Sequence, residues 1–345
     1  MSQVIRKAMI LSAGLGTRLH PITQTLPKPL IPVLNVPNIL HAIHLLKRAG
    51  ITELIINLHH LPHAIESYLR DGRTWGVQIE YSREQQLLGT GGGVKKAEPF
   101  FKGDPFVLVN CDFVSDVDLI PHIIRHLQRK ALATMLLLED PKRQPQYAPV
   151  GVDENDRLCS LPRFEKKAPI RKGIFTGIHI LDGSVLNYLT ATPSGINEIL
   201  YPALMKELPD RVFGDRIAEG IHWFDTGEME PLRTSSMALL PAIIGPSTLS
   251  RFLQDFGQME QASAGVWVSK GTKIPANVRC QAPVIIGNQC RFLGEKIEIG
   301  PSTVLGDGTS VAGGVSIARS ISIGEGTITT GNYKDCVFFK GQPLS

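Results

Sequence analysis

The sequence predicts an α/β protein: a mostly parallel sheet with helices on both faces, followed by a C-terminal left-handed parallel β-helix. Three observations predict it. Short apolar runs alternate with amphipathic stretches as far as residue 139. From Val268 onward an aliphatic residue recurs every six positions. The chain has 345 residues, 43% hydrophobic and 20% charged, enough for one large α/β domain and a smaller one.

Residues 4–12 read as the first buried strand; their apolar part is too short for a secretory leader and runs straight into glycines. "PNILHAIHLLKRAG" (37–50) has helical spacing, with Asn38 as its N-cap and Gly50 as its stop. Apolar runs at 53–58, 77–82, 105–110 and 133–139 read as strands, with helices at 62–72 and 118–130 between them. That alternation argues for a mostly parallel sheet. Beyond about residue 145 the strands shorten (157–161, 173–181), with helices around 184–190 and 197–207. Residues 222–240 place a strand end before a helix, and 241–262 read as connector and helix.

Val268, Ile274, Cys280, Ile286 and Phe292 lie six apart; after a one-residue slip so do Ile299, Leu305, Val311, Ile317 and Ile323. Glycine follows the aliphatic residue at 287, 300, 306 and 324. A hexad of this kind marks a parallel β-helix, in which each side of a triangular coil takes one hexad and its aliphatic residue fills the interior. The expected domains are therefore 1–240, a connector at 241–262, and the β-helix at 263–345. Flat faces and an exposed end favour stacking on a copy, so a homo-oligomer is expected.

A net charge of +4 does not suggest a nucleic-acid binder. No stretch approaches the roughly 18 apolar residues of a membrane span, so no membrane partner is expected. The five cysteines are odd in number and none forms a CxxC, which argues against a disulfide framework or zinc site and fits a reducing cytoplasm. His59, His60 and His63 cluster in "NLHHLPH" and read as solvated imidazoles at a strand end rather than as metal ligands.

The chemistry concentrates in "LSAGLGTRLHPITQTLPKPL" (11–30). A dinucleotide loop would want glycine at 19 and an acid near 35, where Leu19 and Asn35 stand; the Gly-Lys-Ser/Thr of a Walker loop is absent. The stretch still suits phosphates. Gly14 and Gly16 let backbone N–H groups approach an anion, Arg18 adds a fork of donors, and Lys28 is stiffened between Pro27 and Pro29. One cation about 4 Å from a phosphate is worth roughly 4 kcal/mol at an effective dielectric of 20.

"GLGTRLHPITQTLPKPL" resembles the signature of sugar-1-phosphate nucleotidyltransferases, G-x-G-T-R-L-x-P-[LIT]-T followed after a short gap by P-K-P. "LGTGGG" (88–93) resembles that family's base-contacting loop, "VNCD" (109–112) its strand-end aspartate, "FEKK" (164–167) its Glu-Lys pair, and "WFDTG" (223–227) its second aspartate motif. The resemblance covers residues 4 to about 240 and implies a Rossmann-like sheet. It also implies transfer of a nucleotidyl group from an NTP to a sugar 1-phosphate, with release of pyrophosphate. The hexad repeat occurs in many members as well.

The resemblance implies roles residue by residue. Arg18, Lys28, Asp112 and Asp225 would be catalytic. Arg18 would bind the departing pyrophosphate and Lys28 the α-phosphate. Asp112 and Asp225 would hold Mg²⁺ against the triphosphate. Leu11, Ala13, Gly14, Gly16, Thr17, Gln85, Gly89 and Thr90 would join Arg18, Lys28 and Asp112 around the nucleotide, with backbone groups near Leu88 and Gly89 reading the base edge. Glu165 would accept from a sugar hydroxyl, Lys166 would hold the sugar phosphate in competition with Lys167, and Thr176 and Gly177 would line the sugar site. Departures from the family's pattern fall at Cys111, at Tyr147-Ala148 and at Asn197-Glu198, and they bear on the sugar pocket.

Three other readings are disfavoured. A nicotinamide-dependent dehydrogenase lacks its loop. A non-catalytic regulatory subunit of the same fold would lose one of the four catalytic residues. An acyltransferase β-helix would want a histidine base, and residues 262–345 contain no histidine. The resemblance is nearest to the enzymes making GDP-mannose, implying GTP with mannose 1-phosphate or a manno-configured heptose 1-phosphate. Uridylyl, thymidylyl or adenylyl transfer to glucose 1-phosphate or another sugar 1-phosphate stands as the alternative.

Overall fold

The computed structural model describes residues 4–245 and 248–344; residues 1–3, 246–247 and 345, parts of the expected domain ends and connector, lie outside the described residues. The chain divides into two compact units. One holds the segment ending at Leu15 and His41–Trp223; the other holds Gly16–Leu40 and the chain from Phe224 onward.

The first unit is built on a sheet. β1 (Lys7–Leu11), β2 (Glu53–Leu58), β3 (Gln78–Arg83) and β4 (Phe106–Asn110) run parallel in the order β3-β2-β1-β4. Ala8, Met9 and Ile10 are all fully buried, which is why this strand reads as a continuous apolar run rather than an alternation. α1 (Asn38–Arg48), α2 (Pro62–Leu69) and α4 (Ile120–Gln128) fall where the periodicity puts helices, with α3 (Gly89–Lys96) before α4. Gly50 ends α1 with φ +77°. Asn38 is the first residue of α1 rather than its cap; it belongs with residues 16–40 to the second unit, where its Oδ1 accepts from Thr226 Oγ1 at 3.2 Å.

The other half of this sheet is antiparallel, so the sheet is mixed with a parallel-rich centre rather than mostly parallel throughout. β5 (Ala133–Leu138), β6 (Val150–Val152), β7 (Leu158–Leu161), β8 (Phe164–Glu165) and β9 (Arg171–Leu181) continue it, with α5 (Ile196–Glu207) and β10 (Val212–Arg216) following. β9 runs antiparallel to β4, β5 and β6, and β6-β7-β8 form an antiparallel meander, while β5 and β10 pair in parallel. Apolar periodicity reveals burial but not strand direction, and short connections such as those between β6, β7 and β8 favour antiparallel pairs. The expected helix at 184–190 is a 3-10 segment, Gly183–Tyr188. The core gathers Met9, Ile55, Leu108 and Tyr201 around Phe101 and Phe106, whose rings stack 3.8 Å apart.

α3 is a further correction, because "LGTGGG" reads as loop. Three helical glycines would ordinarily cost about 1 kcal/mol each. Here a Cβ on Gly92 would lie 2.3 Å from the Thr192 carbonyl, and one on Gly91 2.8 Å from Ser194 Oγ. The glycines admit the 192–195 backbone against the helix, and that packing outweighs propensity.

In the second unit, residues 16–40 form three 3-10 turns (Thr17–Leu19, Ile22–Gln24, Lys28–Leu30) and a hairpin of Pro32–Val33 with Val36–Pro37. α6 (Met229–Leu239) and α7 (Thr248–Asp255) precede the C-terminal strands, which start with Met259–Ser263 antiparallel to Val266–Ser269. From Val278 to Ile323, each strand pairs in parallel with the third strand after it, as Val278–Cys280 with Ile297–Ile299, Val284–Ile286 with Thr303–Leu305 and Arg291–Leu293 with Thr309–Ala312; the last pair, Val337–Phe339 with Gln342–Pro343, is antiparallel. The hexad positions as far as Ile317 point inward; at the last one the period slips, and Ser322, in register with the buried Phe338, takes the inward place expected of Ile323. Ile286, Leu305, Val311 and Ile317 are fully buried, with Cys280 and Phe292 packed against them. The one-residue slip coincides with Gly294, at φ +114°.

Candidate active site

Arg18, Lys28 and Asp225 converge in the second unit. A Cβ on Gly227 would lie 2.9 Å from Asp225 Oδ1, 3.2 Å from Lys28 Nζ and 3.6 Å from Arg18 Nη2. Two cations and a carboxylate therefore border one bare glycine. Gly227 donates its backbone N–H to Asp225 Oδ1 at 2.7 Å, and Ser235 Oγ donates to the Asp225 carbonyl, fixing the turn. Gly16 makes the second approach. It sits at φ +65°, and a side chain there would meet Thr23 Cγ2 at 2.8 Å and Lys28 Cβ at 3.1 Å. Thr23 Oγ1 donates to the Gly16 carbonyl at 2.8 Å, so the glycine turn folds onto the lysine. Arg18 is ion-paired with Glu228 and largely exposed, as is Thr17. Sequence reading missed Glu228; its signal is an acid immediately after "WFDTG".

The first unit carries the other predicted residues. Leu11 ends β1 in register with Asn57 and Asn110, and Ala13 is buried while Gly14 is exposed just beyond. A Cβ on Gly14 would meet nothing within 4 Å. Asp112 is half-buried, two residues past the end of β4. Gly177, at φ +81°, lies against Asn110, whose side-chain atoms would be 3.1–3.3 Å from a Cβ there. This is where the pairing of β9 with β5 shifts register, between Phe175 and His179. The strand expected to line the sugar and the expected aspartate motif are thereby brought together.

Around the expected base loop, Gln85 is exposed and Gly89 and Thr90 are half-buried at the start of α3, with Thr90 Oγ1 accepting from the Ile196 N–H at 2.8 Å. Sequence reading missed the buried pair behind them. Asn57 Nδ2 donates to Glu84 Oε1 at 2.8 Å, the Leu88 N–H donates to Glu84 Oε2 at 2.9 Å, and the Ser12 N–H donates to Asn57 Oδ1 at 2.8 Å. No local spacing signals it: Gln78 and Glu80, on the same parity as Ser82 and Glu84, are exposed.

A cavity of about 740 Å³ opens in the same unit, bounded by Tyr147, Ala148, Phe164, Phe175, Asn197 and Glu198. The positions 147–148 and 197–198, which depart from the family's pattern, thus share one cavity. Asn197 Oδ1 is buried with no hydrogen-bond partner among the described residues, an acceptor suited to a hydroxyl. Phe164 precedes Glu165 and Phe175 precedes Thr176. The Thr176 side chain itself is turned into the sheet, donating to the Leu136 carbonyl at 2.9 Å. Glu165 is exposed. Lys166 Nζ donates to the Met205 carbonyl at 3.0 Å. Lys167 pairs with Asp153 at 2.9 Å, and that hydrogen bond raises its ammonium pKa.

His59 Nδ1 contacts the Glu84 carbonyl at 3.0 Å, and His63 faces Glu66. Among the described residues no three His, Cys, Asp or Glu side chains are grouped to hold a metal. Nor is any described helix long and apolar enough to cross a membrane.

Residues 7–241 match the family model described as nucleotidyl transferase, and the chain belongs to that family. It is similar to the UTP–glucose-1-phosphate uridylyltransferase of Synechocystis sp., at 34% identity over 86% of this chain and 78% of the relative. It is similar also to the mannose-1-phosphate guanylyltransferase of Mycobacterium tuberculosis, at 29% identity over 85% and 81%. Among solved structures, UDP-glucose pyrophosphorylase from Acinetobacter baumanii shares the fold, with a TM-score of 0.59 and 23% identity over 73% of this chain and 98% of that one. The chain is a nucleotidyltransferase of the sugar-1-phosphate group.

Proposed function

We propose that the protein joins an NTP to a sugar 1-phosphate, giving a nucleotide sugar and pyrophosphate, with GTP and mannose 1-phosphate or a manno-heptose 1-phosphate as its substrates. The sugar-phosphate oxygen attacks the α-phosphorus, a new P–O bond forms, the α–β bridging P–O bond breaks, and pyrophosphate leaves with the electron pair. Both reactants are anionic, so the protein's task is to neutralise charge and align them. The observation that carries this reading is the convergence of Arg18 and Lys28 with Asp225 at Gly227. Lys28 neutralises the α-phosphate and Arg18 the departing pyrophosphate. Leu11, Ala13, Gly14, Gly16, Thr17, Gln85, Gly89 and Thr90 surround the nucleotide.

Asp112 and Asp225 offer hard carboxylate oxygens, which suit Mg²⁺, an ion that takes one or two carboxylates and completes its shell with phosphate and water. Bound there, Mg²⁺ would supply charge neutralisation on the triphosphate. The sugar 1-phosphate is held by Lys166 and Glu165 beside the cavity of Tyr147, Phe175 and Asn197, near Thr176 and Gly177. Commitment of Lys167 to Asp153 favours Lys166 as the phosphate ligand.

In this reading residues 1–240 are the catalytic domain, which accords with the family match over 7–241. Residues 241–262 are a connector, and 263–345 a left-handed β-helix through which copies of this cytoplasmic enzyme associate. The three interleaved sets of parallel strands support the β-helix. A second reading, UTP with glucose 1-phosphate, is favoured by the 34% identity to the Synechocystis relative. Pyrophosphate release with GTP, UTP, dTTP and ATP against mannose 1-phosphate and glucose 1-phosphate separates them. GTP with mannose 1-phosphate should lead; a tenfold lead of UTP with glucose 1-phosphate, about 1.4 kcal/mol in transition-state binding, overturns the guanylyl reading and leaves the reaction class intact.

A further inference from the structure

We propose that Asn57 and Glu84 form a buried positioning pair that sets the spacing between the two backbone segments expected to hold the nucleotide, residues 12–14 and 88–90. The inference rests on the nucleotide placement proposed above. Neither residue is reached by the motif reading. Asn57 is 2% exposed and Glu84 5%. A buried carboxylate is costly unless its hydrogen bonds are made, and both oxygens of Glu84 are used. Oε1 accepts from Asn57 Nδ2 and Oε2 from the N–H of Leu88, the residue before α3. Asn57 Oδ1 accepts from the N–H of Ser12, just past β1.

A single chain of donors and acceptors thus runs from the main chain of one segment to the main chain of the other. Gly93 is bare where this pair sits: a Cβ there would lie 2.8 Å from Glu84 Oε1 and 3.0 Å from Asn57 Nδ2. The glycine run of α3 therefore serves the pair as well as the 192–195 backbone. The polarity of the chain is fixed at both ends by N–H donors. Asn57 can satisfy both neighbours in one amide orientation only, with oxygen toward Ser12 and nitrogen toward Glu84.

That polarity makes the pair testable by exchange. In E84Q, the new amide nitrogen must face either the Asn57 amide or the Leu88 N–H, donor against donor. In N57D, two carboxylates face each other. In the double variant N57D/E84Q every bond returns. The carboxylate introduced at position 57 accepts from the Ser12 N–H and from the amide nitrogen introduced at position 84, whose own oxygen accepts from the Leu88 N–H.

The experiment measures NTP dissociation constants by equilibrium dialysis, and KM for both substrates, for the full-length protein and the three variants. Each single variant should weaken NTP binding at least tenfold and change the sugar 1-phosphate KM less than threefold. The double variant should bind NTP within threefold of the wild type. Equal losses for both substrates, or a double variant no better than the worse single, overturns the proposal. If E84Q does not fold, Glu84→Asp replaces it, a shorter carboxylate that cannot span Asn57 and Leu88 together; unaltered NTP binding in that variant overturns the proposal too. Hydrogen exchange of the wild type with and without NTP separates the two layers of inference. NTP protection absent at both 12–17 and 88–92 overturns the nucleotide placement itself. Protection at both with no rescue by exchange overturns only the pair.

Discussion

Replacing Gly227 with alanine puts one methyl group into the cluster of Asp225, Lys28 and Arg18. Gly227 is not among the residues with positive φ, so alanine brings no backbone strain. Its Cβ would stand 2.9 Å from Asp225 Oδ1, several tenths of an ångström inside ordinary contact, and 3.2 Å from Lys28 Nζ. The carboxylate must retreat from its 2.7 Å bond to the Gly227 N–H. A hydrogen bond to a charged group is worth about 1.5–3 kcal/mol net, and if that ordering is used in the transition state the loss in kcat/KM is about 10- to 150-fold. Loss of that bond acts on the fold as well, so Tm should fall by several degrees at most, at about 2–4 °C per kcal/mol. Pyrophosphate release at saturating Mg²⁺, with a thermal melt of the same preparation, reads both. A kcat/KM within threefold of the wild type at unaltered Tm would refute the placement of this cluster at the reacting phosphates.

Burial pushes the imidazoles of His126 and His179 down to about 4 and about 3, below their ordinary 6.5. The unfolded chain therefore takes up protons that the folded one refuses. Stability is full above pH 6.5 and falls as pH drops below it, by about 2 kcal/mol per histidine at pH 5; urea midpoints at pH 7 and pH 5 measure this, and equal midpoints contradict it. Gly92→Ala forces a Cβ to 2.3 Å from the Thr192 carbonyl and should destabilise by about 1–3 kcal/mol, seen as a lower urea midpoint; wild-type stability would mean that α3 does not pack on residues 192–195. Glu198→Gln should raise the sugar 1-phosphate KM severalfold with the NTP KM unaltered, and the reverse pattern would remove the cavity from the sugar site. Asp112→Asn and Asp225→Asn should each abolish Mg²⁺-dependent pyrophosphate release while the melt stays intact; near-wild-type rates in either variant would remove that aspartate from the metal site.

The strands of the parallel centre were legible because burial on both faces writes an unbroken apolar run: 53–58 is read and found as Glu53–Leu58. The hexads were legible because an inward aliphatic recurs every six residues along the stack of parallel strands as far as Ile317. Strand direction was not, since Val150–Val152 and Leu158–Leu161 carry the same apolar signal whichever way they run. α3 was hidden because its glycines answer to the backbone at 192–195, about a hundred residues away in sequence. Of the site, the motif residues Arg18, Lys28 and Asp225 could be named and are found together. Asn57 and Glu84 could not, because a buried hydrogen-bonded pair leaves no local spacing to read.

The segment bearing Arg18 and Lys28 shows why motif and repeat cannot be read apart. Residues 16–40 form one compact unit with the chain beyond Phe224, C-terminal strands included. Their hairpin pairs only two residues on each side and turns through Leu34 and Asn35, both with positive φ. A hairpin so short has little stability of its own. It is held from outside: Asn35 Nδ2 donates to the Leu305 carbonyl at 2.7 Å, and Val36, fully buried, packs over the bare Gly257. Leu305 is a hexad residue whose side chain fills the interior of the strand stack, while its carbonyl takes the hydrogen bond from Asn35. One residue thus fills the repeat and anchors the segment that carries the two cations. The hexad period specifies the first task. Nothing in the sequence marks the second, because every residue carries a carbonyl.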